Sequence, residues 1–376
     1  MTTARPEHLD RAKESLAGFK DRLKPAKVID RYDLLLEDLS LIRNPRFKFE
    51  KDHAEALEAF MREYSAGKPL EEAGEWFYFP WNGTLAHYLP ADEHQEVRTA
   101  RNRQIITKEE QERFYSLKVA YAGLSVGSHG AMTVALMGGA RRIKIADPDE
   151  VSASNFNRIR SDFLSLGRKK TDLVREYVYQ LNPYAEVESF DQGVTMENIS
   201  HFLDGADVLV EETDNLEMKI RLRLAARERG IPVVMATDNG DGIIIETERF
   251  DLDKDRQLFN GVIGDVTLDM FQSFVPSDLP KLATRIAGPD FVTERMMVSL
   301  PQVGREIYSW PQLGDAATLS GVAIAFILKR LALGEPVTEE KREISLDAIL
   351  DPNYYAPSVQ AQREGMRKKF LSALGL

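Results

Sequence analysis

Apolar and polar positions follow two different rhythms along the middle of the chain. Short apolar runs, with the length of buried strands, occur at 118–124, 142–147, 185–190, 206–212, 231–237 and 242–250. Segments with apolar residues at three-to-four spacing lie between them, as in 170–181 and 217–229. This alternation predicts βα units, a mostly parallel sheet and helices on both of its faces. The predicted fold class is therefore α/β, of the Rossmann-like kind.

Residues 1–97 have a different pattern and are predicted to form a separate, mainly helical domain. Helical spacing of apolar residues covers 8–19, 29–42 and 54–64. A dense aromatic stretch follows at 75–83. Aromatic residues this close together indicate core or domain-interface packing, and a groove for a substrate or partner is the alternative. The sequence does not indicate what this domain does.

The strand–helix rhythm stops after residue 250, which ends a predicted nucleotide-binding core at 98–250. Residues 251–315 are rich in Asp, Pro and Gly and are predicted to be an irregular, substrate-binding insertion. Residues 316–376 are predicted to hold a long apolar helix that packs back on the sheet, then a tail with a short strand and a basic helix. The most apolar part of the late helix, 319–328, is too short to span a bilayer.

Composition is that of an ordinary globular protein, 376 residues long with a net charge of −11. This charge argues against a protein that coats nucleic acid, but it leaves a local basic pocket open. The N-terminus lacks a signal-peptide pattern, so we expect a cytoplasmic protein. The chain has no cysteine, which excludes disulfides, CxxC zinc clamps and a thioester on the chain itself. No zinc is expected.

Candidate chemistry begins with the turn Gly123-Leu-Ser-Val-Gly127, between an apolar run and a helical segment. Backbone N–H groups and the helix dipole favour a phosphate at such a place, so Gly123, Ser125 and Gly127 are candidate binding residues. The turn departs from the GxGxxG pattern, and a tight turn that binds nothing is the alternative. Asp147 ends the next run, where a ribose-binding carboxylate belongs. Asp149, beside a proline, is interpreted as a turn former.

Polar and basic residues follow this second run. The side chains of Ser154, Asn155 and Asn157 could reach ribose or phosphate oxygens, and Arg158 offers a forked donor to phosphate. An ion pair with the ribose acid is the alternative for Arg158. Lys170, in the first turn of the next helix, can act as a point charge on phosphate or lie on a solvated surface.

A further candidate group, Thr213-Asp-Asn215, stands at the C-terminal end of another strand, where open α/β sheets place ligands. Asp214 offers the hard oxygen that Mg²⁺ prefers beside substrate phosphates. Thr213 and Asn215 are predicted to line the nucleotide site. The N-cap of the following helix is the other role for Asp214 and Asn215.

The order and approximate spacing of these motifs resemble those of the ThiF/MoeB/HesA group, the ubiquitin-activating-type carboxylate adenylyltransferases. The motifs are Arg101-Asn-Arg103-Gln, the glycine–serine turn, Asp147-Pro-Asp149, Ser154-Asn-Phe-Asn-Arg158, Gly167-Arg-Lys-Lys170, Asn182-Pro183 and Thr213-Asp-Asn215. The resemblance covers roughly 98–250 and the helix after 311–314.

The resemblance implies a homodimer that binds Mg-ATP, in which a substrate carboxylate attacks the α-phosphate and gives an acyl-adenylate and pyrophosphate. The catalytic residues that it implies by position are Arg103, Arg158, Lys170 and Asp214, with Asp214 as the magnesium ligand. Arg103 would reach the partner's site as an arginine finger, with Arg101 beside it.

The substrate stays open between the C-terminus of a ubiquitin-like or sulfur-carrier protein, a peptide, and a small carboxylate such as one on a modified tRNA. Because cysteine is absent, we expect adenylation without a thioester step. Two alternatives remain. A non-catalytic nucleotide-binding scaffold of the same fold would explain the altered turn. An NAD-dependent oxidoreductase fits the turn and Asp147 but leaves Arg158, Lys170 and Asp214 without a use.

Overall fold

The computed structural model describes residues 5–49, 53–264, 271 and 279–375. The chain forms two compact units: Met1–Glu112 with Glu176–Ala185, and Arg113–Arg175 with Glu186–Leu376. The strands are β1 (Glu7–His8), β2 (Lys27–Ile29), β3 (Glu75–Phe79), β4 (Thr84–Tyr88), β5 (Lys118–Ala122), β6 (Arg142–Ala146), β7 (Glu186–Phe190), β8 (Val208–Glu211), β9 (Val233–Asn239), β10 (Gly242–Glu248) and β11 (Arg342–Ser345). The helices are α1 (Leu16–Leu23), α2 (Tyr32–Arg43), α3 (Ala54–Tyr64), α4 (Ala91–Arg98), α5 (Lys108–Ser116), α6 (Gly127–Leu136), α7 (Lys170–Leu181), α8 (Ile199–Leu203), α9 (Leu216–Arg229), α10 (Leu279–Ala287), α11 (Glu294–Ser299), α12 (Gly314–Leu333), α13 (Leu346–Leu350) and α14 (Pro357–Leu374).

The second unit is built on a seven-stranded sheet in the order β11-β10-β9-β8-β5-β6-β7. Strands β9, β8, β5, β6 and β7 are parallel, and β10 and β11 are antiparallel to their neighbours. Helices cover both faces, so the central strands are buried on both sides and read as continuous apolar runs. The predicted α/β fold with a mostly parallel sheet is confirmed.

Helix α12 packs against α6 through glycines that let the two backbones approach. A Cβ atom on Gly321 would lie 2.5 Å from Cβ of His129, and one on Gly130 would lie 3.0 Å from Ile324. The apolar segment 319–328 lies inside a longer helix than predicted, whose 20 residues suffice by length and composition to cross a bilayer. Half of its apolar window is buried inside the protein, as expected of a core helix.

The first unit contains a four-stranded sheet, ordered β1-β3-β4-β2, in addition to its helices. This sheet was not predicted. The aromatic stretch at 75–83 forms β3 and the turn after it, and its Trp76, Phe77 and Phe79 side chains are buried. The ring of His87 on β4 is stacked between Tyr32 and Trp76, with centroid distances of 4.0 and 4.2 Å. These contacts agree with the core-packing interpretation of the aromatic stretch.

Residues 251–313 are mostly loops and short helices where the structure describes them, and 265–270 and 272–278 of the predicted insertion lie outside the described residues. The tail returns to the sheet as β11, which pairs with β10, and ends in α14. The division into a nucleotide-binding core at 98–250, an insertion at 251–315 and a closing segment at 316–376 stays a prediction.

Candidate functional site

The candidate site lies at the C-terminal edge of the parallel strands, where the chain order reverses. From β5 the chain proceeds outward through β6 and β7 on one side, and later through β8 and β9 on the other. In open α/β sheets this reversal opens a crevice beyond the strand ends, which is where ligands bind. Gly123, Asp147, Thr213 and Asp238 stand at or just beyond the ends of β5, β6, β8 and β9. Adjacent strands therefore deliver these residues to one edge.

The glycine turn after β5 is held tightly against the end of β8. Gly123 has a positive φ of 90°, and a Cβ atom there would lie 2.5 Å from the carbonyl oxygen of Glu212. Only glycine fits this close approach. The next N–H, of Leu124, donates to Oδ2 of Asp147 across 2.7 Å. Helix α6 then begins at Gly127, and no side chain of the described residues caps its N-terminus, where the helix dipole favours an anion.

Asp147 is buried and connects the turn to a lysine. Its Oδ1 atom accepts from the N–H of Asp149 at 2.8 Å, and it lies 3.6 Å from the ammonium of Lys170. Burial raises the pKa of the Asp147 carboxyl above its usual range. Its predicted contact with a ribose stays a prediction, because both carboxylate oxygens already accept backbone N–H groups and would have to accept the ribose hydroxyls as well.

Lys170 opens α7 with its side chain almost fully buried. The ammonium donates to Oδ2 of Asp149 at 2.8 Å. The prediction of Asp149 as a turn former therefore missed its contact with this lysine. A buried cation held between two carboxylates at a sheet edge is not the solvated surface lysine of the alternative interpretation.

Arg158 reaches over the glycine turn. Its Nε atom lies 3.3 Å from Oγ of Ser125, and Nη1 donates to the carbonyl of Ser154 and to Oδ1 of Asn157, both at 3.0 Å. These contacts bring the arginine to the turn, and its predicted contact with a phosphate stays a prediction. The alternative interpretation, an ion pair with Asp147, is not among its contacts in the described residues.

The neighbouring amides have internal partners as well. Oδ1 of the buried Asn155 accepts from the N–H of Ser152 at 3.0 Å, in a capping box that fixes this segment. Nδ2 of Asn157 donates to the carbonyl of Gln312 at 2.7 Å. Ser154 places its hydroxyl 2.9 Å from that of Ser152. Ligand contacts of these three predicted residues stay predictions.

A buried network of ion pairs centred on Glu211 holds the loop after β8. Glu211 is fully buried, accepts from the N–H of Thr213 at 2.8 Å and pairs with Lys219 and Arg223. Oδ1 of Asn215 accepts from the N–H of Met218 at 3.0 Å, so Asn215 is the N-cap of α9. The capping alternative is thus confirmed for Asn215.

Asp214 lies between Thr213 and this cap and is exposed. It makes no ion pair with any residue that the structure describes. Among all the residues that the structure describes, no three or more His, Asp or Glu side chains are grouped so that they could hold a metal ion. A single free carboxylate fits a Mg²⁺ ion that takes its other ligands from phosphates and water, but not an all-protein metal cage.

Arg101 and Arg103 belong to the first compact unit, and both are exposed. Nη2 of Arg103 pairs with Oε1 of Glu96 at 2.9 Å. Their predicted place at a partner's site stays a prediction.

Sequence reasoning missed two residues at this edge. His129 on α6 is buried and donates from Nε2 to the carbonyl oxygen of Arg158 at 2.6 Å, and burial lowers the pKa of its ring. Asp238 near the end of β9 is buried, and burial raises the pKa of its carboxyl to about 6. An acid ending an apolar run was a signal that could have identified Asp238, whereas His129 has no such signature.

Comparison with known proteins identifies the family of the central segment. The model of the ThiF family matches residues 99–242. MT1398, an uncharacterized protein of Mycobacterium tuberculosis (strain CDC 1551 / Oshkosh), is 33% identical over 324 residues, covering 86% of this chain and 45% of that protein. The predicted family resemblance is confirmed.

Two other relatives match mainly the central segment. The tRNA threonylcarbamoyladenosine dehydratase of Bacillus subtilis (strain 168) is 33% identical over 138 residues, covering 36% of this chain and 54% of that protein. The adenylyltransferase and sulfurtransferase UBA4 of Kluyveromyces lactis is 28% identical over 141 residues, covering 36% of this chain and 32% of that protein. The chain spans about half the length, or less, of these curated relatives.

Proposed function

Because residues 99–242 belong to the ThiF family, we propose that the chain is an ATP-dependent enzyme that adenylates a carboxylate. A relative that bears the name adenylyltransferase supports the transfer of an adenylyl group. The proposal concerns the activity of the domain, and it leaves the substrate to experiment.

One observation carries the proposal. Arg158 is held at the glycine turn, where α6 begins, and Lys170 is held beside Asp147, whose carboxylate accepts from the N–H of Leu124 in that turn. The two cations and the helix N-terminus each favour a negatively charged ligand. Internal hydrogen bonds fix both cationic side chains before a ligand binds. A preorganised set of this kind is suited to the polyphosphate of a nucleotide.

The reaction follows from these positions. A carboxylate oxygen of the substrate attacks the α-phosphorus of ATP, the bond from that phosphorus to the bridging oxygen breaks, and pyrophosphate leaves with the electron pair. No base is required, because a carboxylate is ionised at pH 7. Arg158 and Lys170 would neutralise the charge that develops on the phosphate oxygens, and Asp147 would hold the ribose.

Magnesium would be held by Asp214 and the phosphate oxygens of ATP, where it supplies further positive charge. Thr213 and Asn215, on either side of that carboxylate, would keep its loop in place through Glu211 and the cap of α9.

For the acyl acceptor, the sequence supports direct transfer to an amine, a hydroxyl, a thiol or a sulfur carrier, since the chain has no cysteine for a thioester. The substrate classes are the C-terminus of a ubiquitin-like or sulfur-carrier protein, a peptide, or a small carboxylate, including one on a modified tRNA. In a homodimer, Arg103 would complete the partner's site.

The test is magnesium-dependent exchange of labelled pyrophosphate into ATP by the full chain. Exchange is measured with three separate additions: the small-molecule, polypeptide and tRNA fractions of a cell extract. Asp214→Ala serves as the negative control. Exchange with one fraction, lost in the variant, is the expected result and indicates the substrate class. Binding of Mg-ATP without exchange in any fraction would favour the scaffold alternative instead.

A further inference from the structure

We infer that Asp238 is a positioning residue for Arg158 and acts through Gln312 and Asn157. The inference rests on the proposed function, because it assigns Arg158 to the nucleotide site. Asp238 and Gln312 lie outside the sequence motifs that define the site, so the inference extends the set of residues that hold the nucleotide-binding groups in place.

Three hydrogen bonds link the carboxylate of Asp238, through Gln312 and Asn157, to the guanidinium group of Arg158. Nε2 of Gln312 donates to Oδ2 of Asp238 at 3.1 Å. The carbonyl of Gln312 accepts from Nδ2 of Asn157 at 2.7 Å, and Oδ1 of Asn157 accepts from Nη1 of Arg158 at 3.0 Å. Every link uses a defined donor and acceptor, so a displacement at Asp238 is transmitted to the arginine.

The carboxylate at the start of this chain is itself fixed. Asp238 is 3% exposed, and Oγ of Ser320 on α12 donates to its Oδ1 at 3.0 Å. Both oxygens therefore accept, one from Gln312 and one from Ser320. The side chain has no freedom to reach a substrate in this arrangement, which makes it a positioning residue rather than a catalytic one.

Backbone packing brings the same two segments together. A Cβ atom on Gly314 at the start of α12 would lie 2.7 Å from the carbonyl oxygen of Asn157. Glycine is therefore needed for the segment that carries Gln312 to press against the residue before Arg158. The contact places the glutamine carbonyl within reach of Asn157.

Charges around Asp238 give the relay a pH dependence. Arg158, in the segment after β6, attracts the carboxylate, while Asp315 on α12 and Glu212 at the end of β8 repel it. Protonation of Asp238 would remove the attraction on Arg158 and turn one acceptor oxygen into a donor. Burial of the carboxyl brings this change close to neutral pH, since its pKa is raised to about 6.

The experiment is a double-mutant cycle on Mg-ATP affinity, measured by calorimetry with the full chain. Asp238→Asn keeps the shape of the side chain and removes its charge. We expect it to lower the affinity about tenfold, as for loss of one hydrogen bond to a charged group. In the Arg158→Ala background the same change should have no further effect. Gln312→Ala removes the side-chain donor to Asp238 and keeps the backbone carbonyl that Asn157 uses, so it should reproduce the loss.

The matched control is Asp241→Asn, which removes the same charge at the exposed turn after β9 and should leave affinity unchanged. Between pH 7 and pH 5 the affinity of the wild-type chain should fall more steeply than that of Asp238→Asn. An equal loss from Asp238→Asn with and without Arg158 would overturn the inference, because Asp238 would then act independently of the arginine.

Absence of Mg-ATP binding by the wild-type chain would count against the proposed function alone. The relay then remains testable by thermal unfolding of Asn157→Ala, Asp238→Asn and the double variant. Coupling between the two changes, with the effect of the double variant differing from the sum of the two single effects, supports the relay. Additive losses would overturn it.

Discussion

His129 donates a hydrogen bond from its ring Nε2 to the backbone carbonyl oxygen of Arg158, across 2.6 Å. Burial lowers the pKa of the ring, so the imidazole is neutral at pH 7. Its donor nitrogen faces the carbonyl, and Nδ1 has no hydrogen-bond partner among the described residues. The α6 helix thus holds the main chain of Arg158, while Ser125 and Asn157 hold its side chain.

Replacing His129 by Phe should weaken both the fold and the nucleotide site. The carbonyl of Arg158 would lose its donor, which costs about 1–3 kcal/mol for a buried polar group. His129→Gln is the matched control, because its amide nitrogen can take the place of Nε2. We expect lower unfolding temperature and Mg-ATP affinity for the Phe variant and near wild-type values for the Gln variant. Equal losses in both would mean that ring packing matters and the donor does not.

Substitutions of Lys170 and Asp149 show whether the buried ammonium group binds a nucleotide or only neutralises the neighbouring carboxylates. Lys170→Met should lower the affinity for Mg-ATP about 10- to 100-fold, since a charged hydrogen-bond donor to phosphate is lost. Asp149→Asn removes the more exposed of its two carboxylate partners and should leave affinity unchanged or higher. The measurement is calorimetric titration at fixed magnesium. A similar loss in both variants would make the lysine an internal counter-ion with no direct role in binding.

The parallel core was predictable because its strands are buried on both faces. Apolar runs at 118–124 and 206–212 became β5 and β8 with nearly the same bounds. The sheet of the first unit was not predicted, since β1 and β2 have only two and three residues, all exposed, and a period of two cannot be recognised over that length.

Those residues of the candidate site that come directly after a strand in the sequence could be predicted from the strand pattern. Asp147 and Thr213 lie at one edge of the sheet because β6 and β8, the two strands that flank β5, run parallel and end at the same side. His129 and Gln312 act through partners that lie 29 and 74 residues away, at His129–Arg158 and Gln312–Asp238. No local spacing encodes such contacts, because they depend on how α6 and α12 pack on the sheet.

Asp238 should make the protein less stable at neutral pH than in mild acid. Its folded-state pKa is raised from 3.8 to about 6, so the folded chain holds this proton more tightly than the unfolded chain does. The free energy of unfolding therefore falls as the pH rises from about 4 to about 6, by at most about 3 kcal/mol, and stays lowered above pH 6. Urea unfolding across this range should show the fall in the wild-type chain and a smaller one in Asp238→Asn. Identical curves would mean that the carboxyl titrates normally.

Arg103 can be tested by mixing two inactive variants. Arg103→Ala and Asp214→Ala should each abolish magnesium-dependent exchange while leaving the fold intact. If Arg103 acts on the partner's site, a mixed dimer contains one site with both residues, and about a quarter to a half of the activity should return, depending on how the subunits assort. Mixed dimers detected by mass spectrometry without any recovery would place Arg103 in its own subunit's site or outside catalysis.

Two glycine substitutions separate helix packing from helix propensity. Gly321→Ala would place its Cβ atom 2.5 Å from Cβ of His129, so α12 must move away from α6, at about 1–3 kcal/mol of stability. Gly365→Ala on α14 has open space around the new atom and should stabilise by about 0.5–1 kcal/mol. Only the first substitution should also lower Mg-ATP affinity, since it displaces the histidine that holds Arg158. Unfolding and titration of both variants measure the two effects, and an unchanged affinity in Gly321→Ala would separate the α6–α12 contact from the nucleotide site.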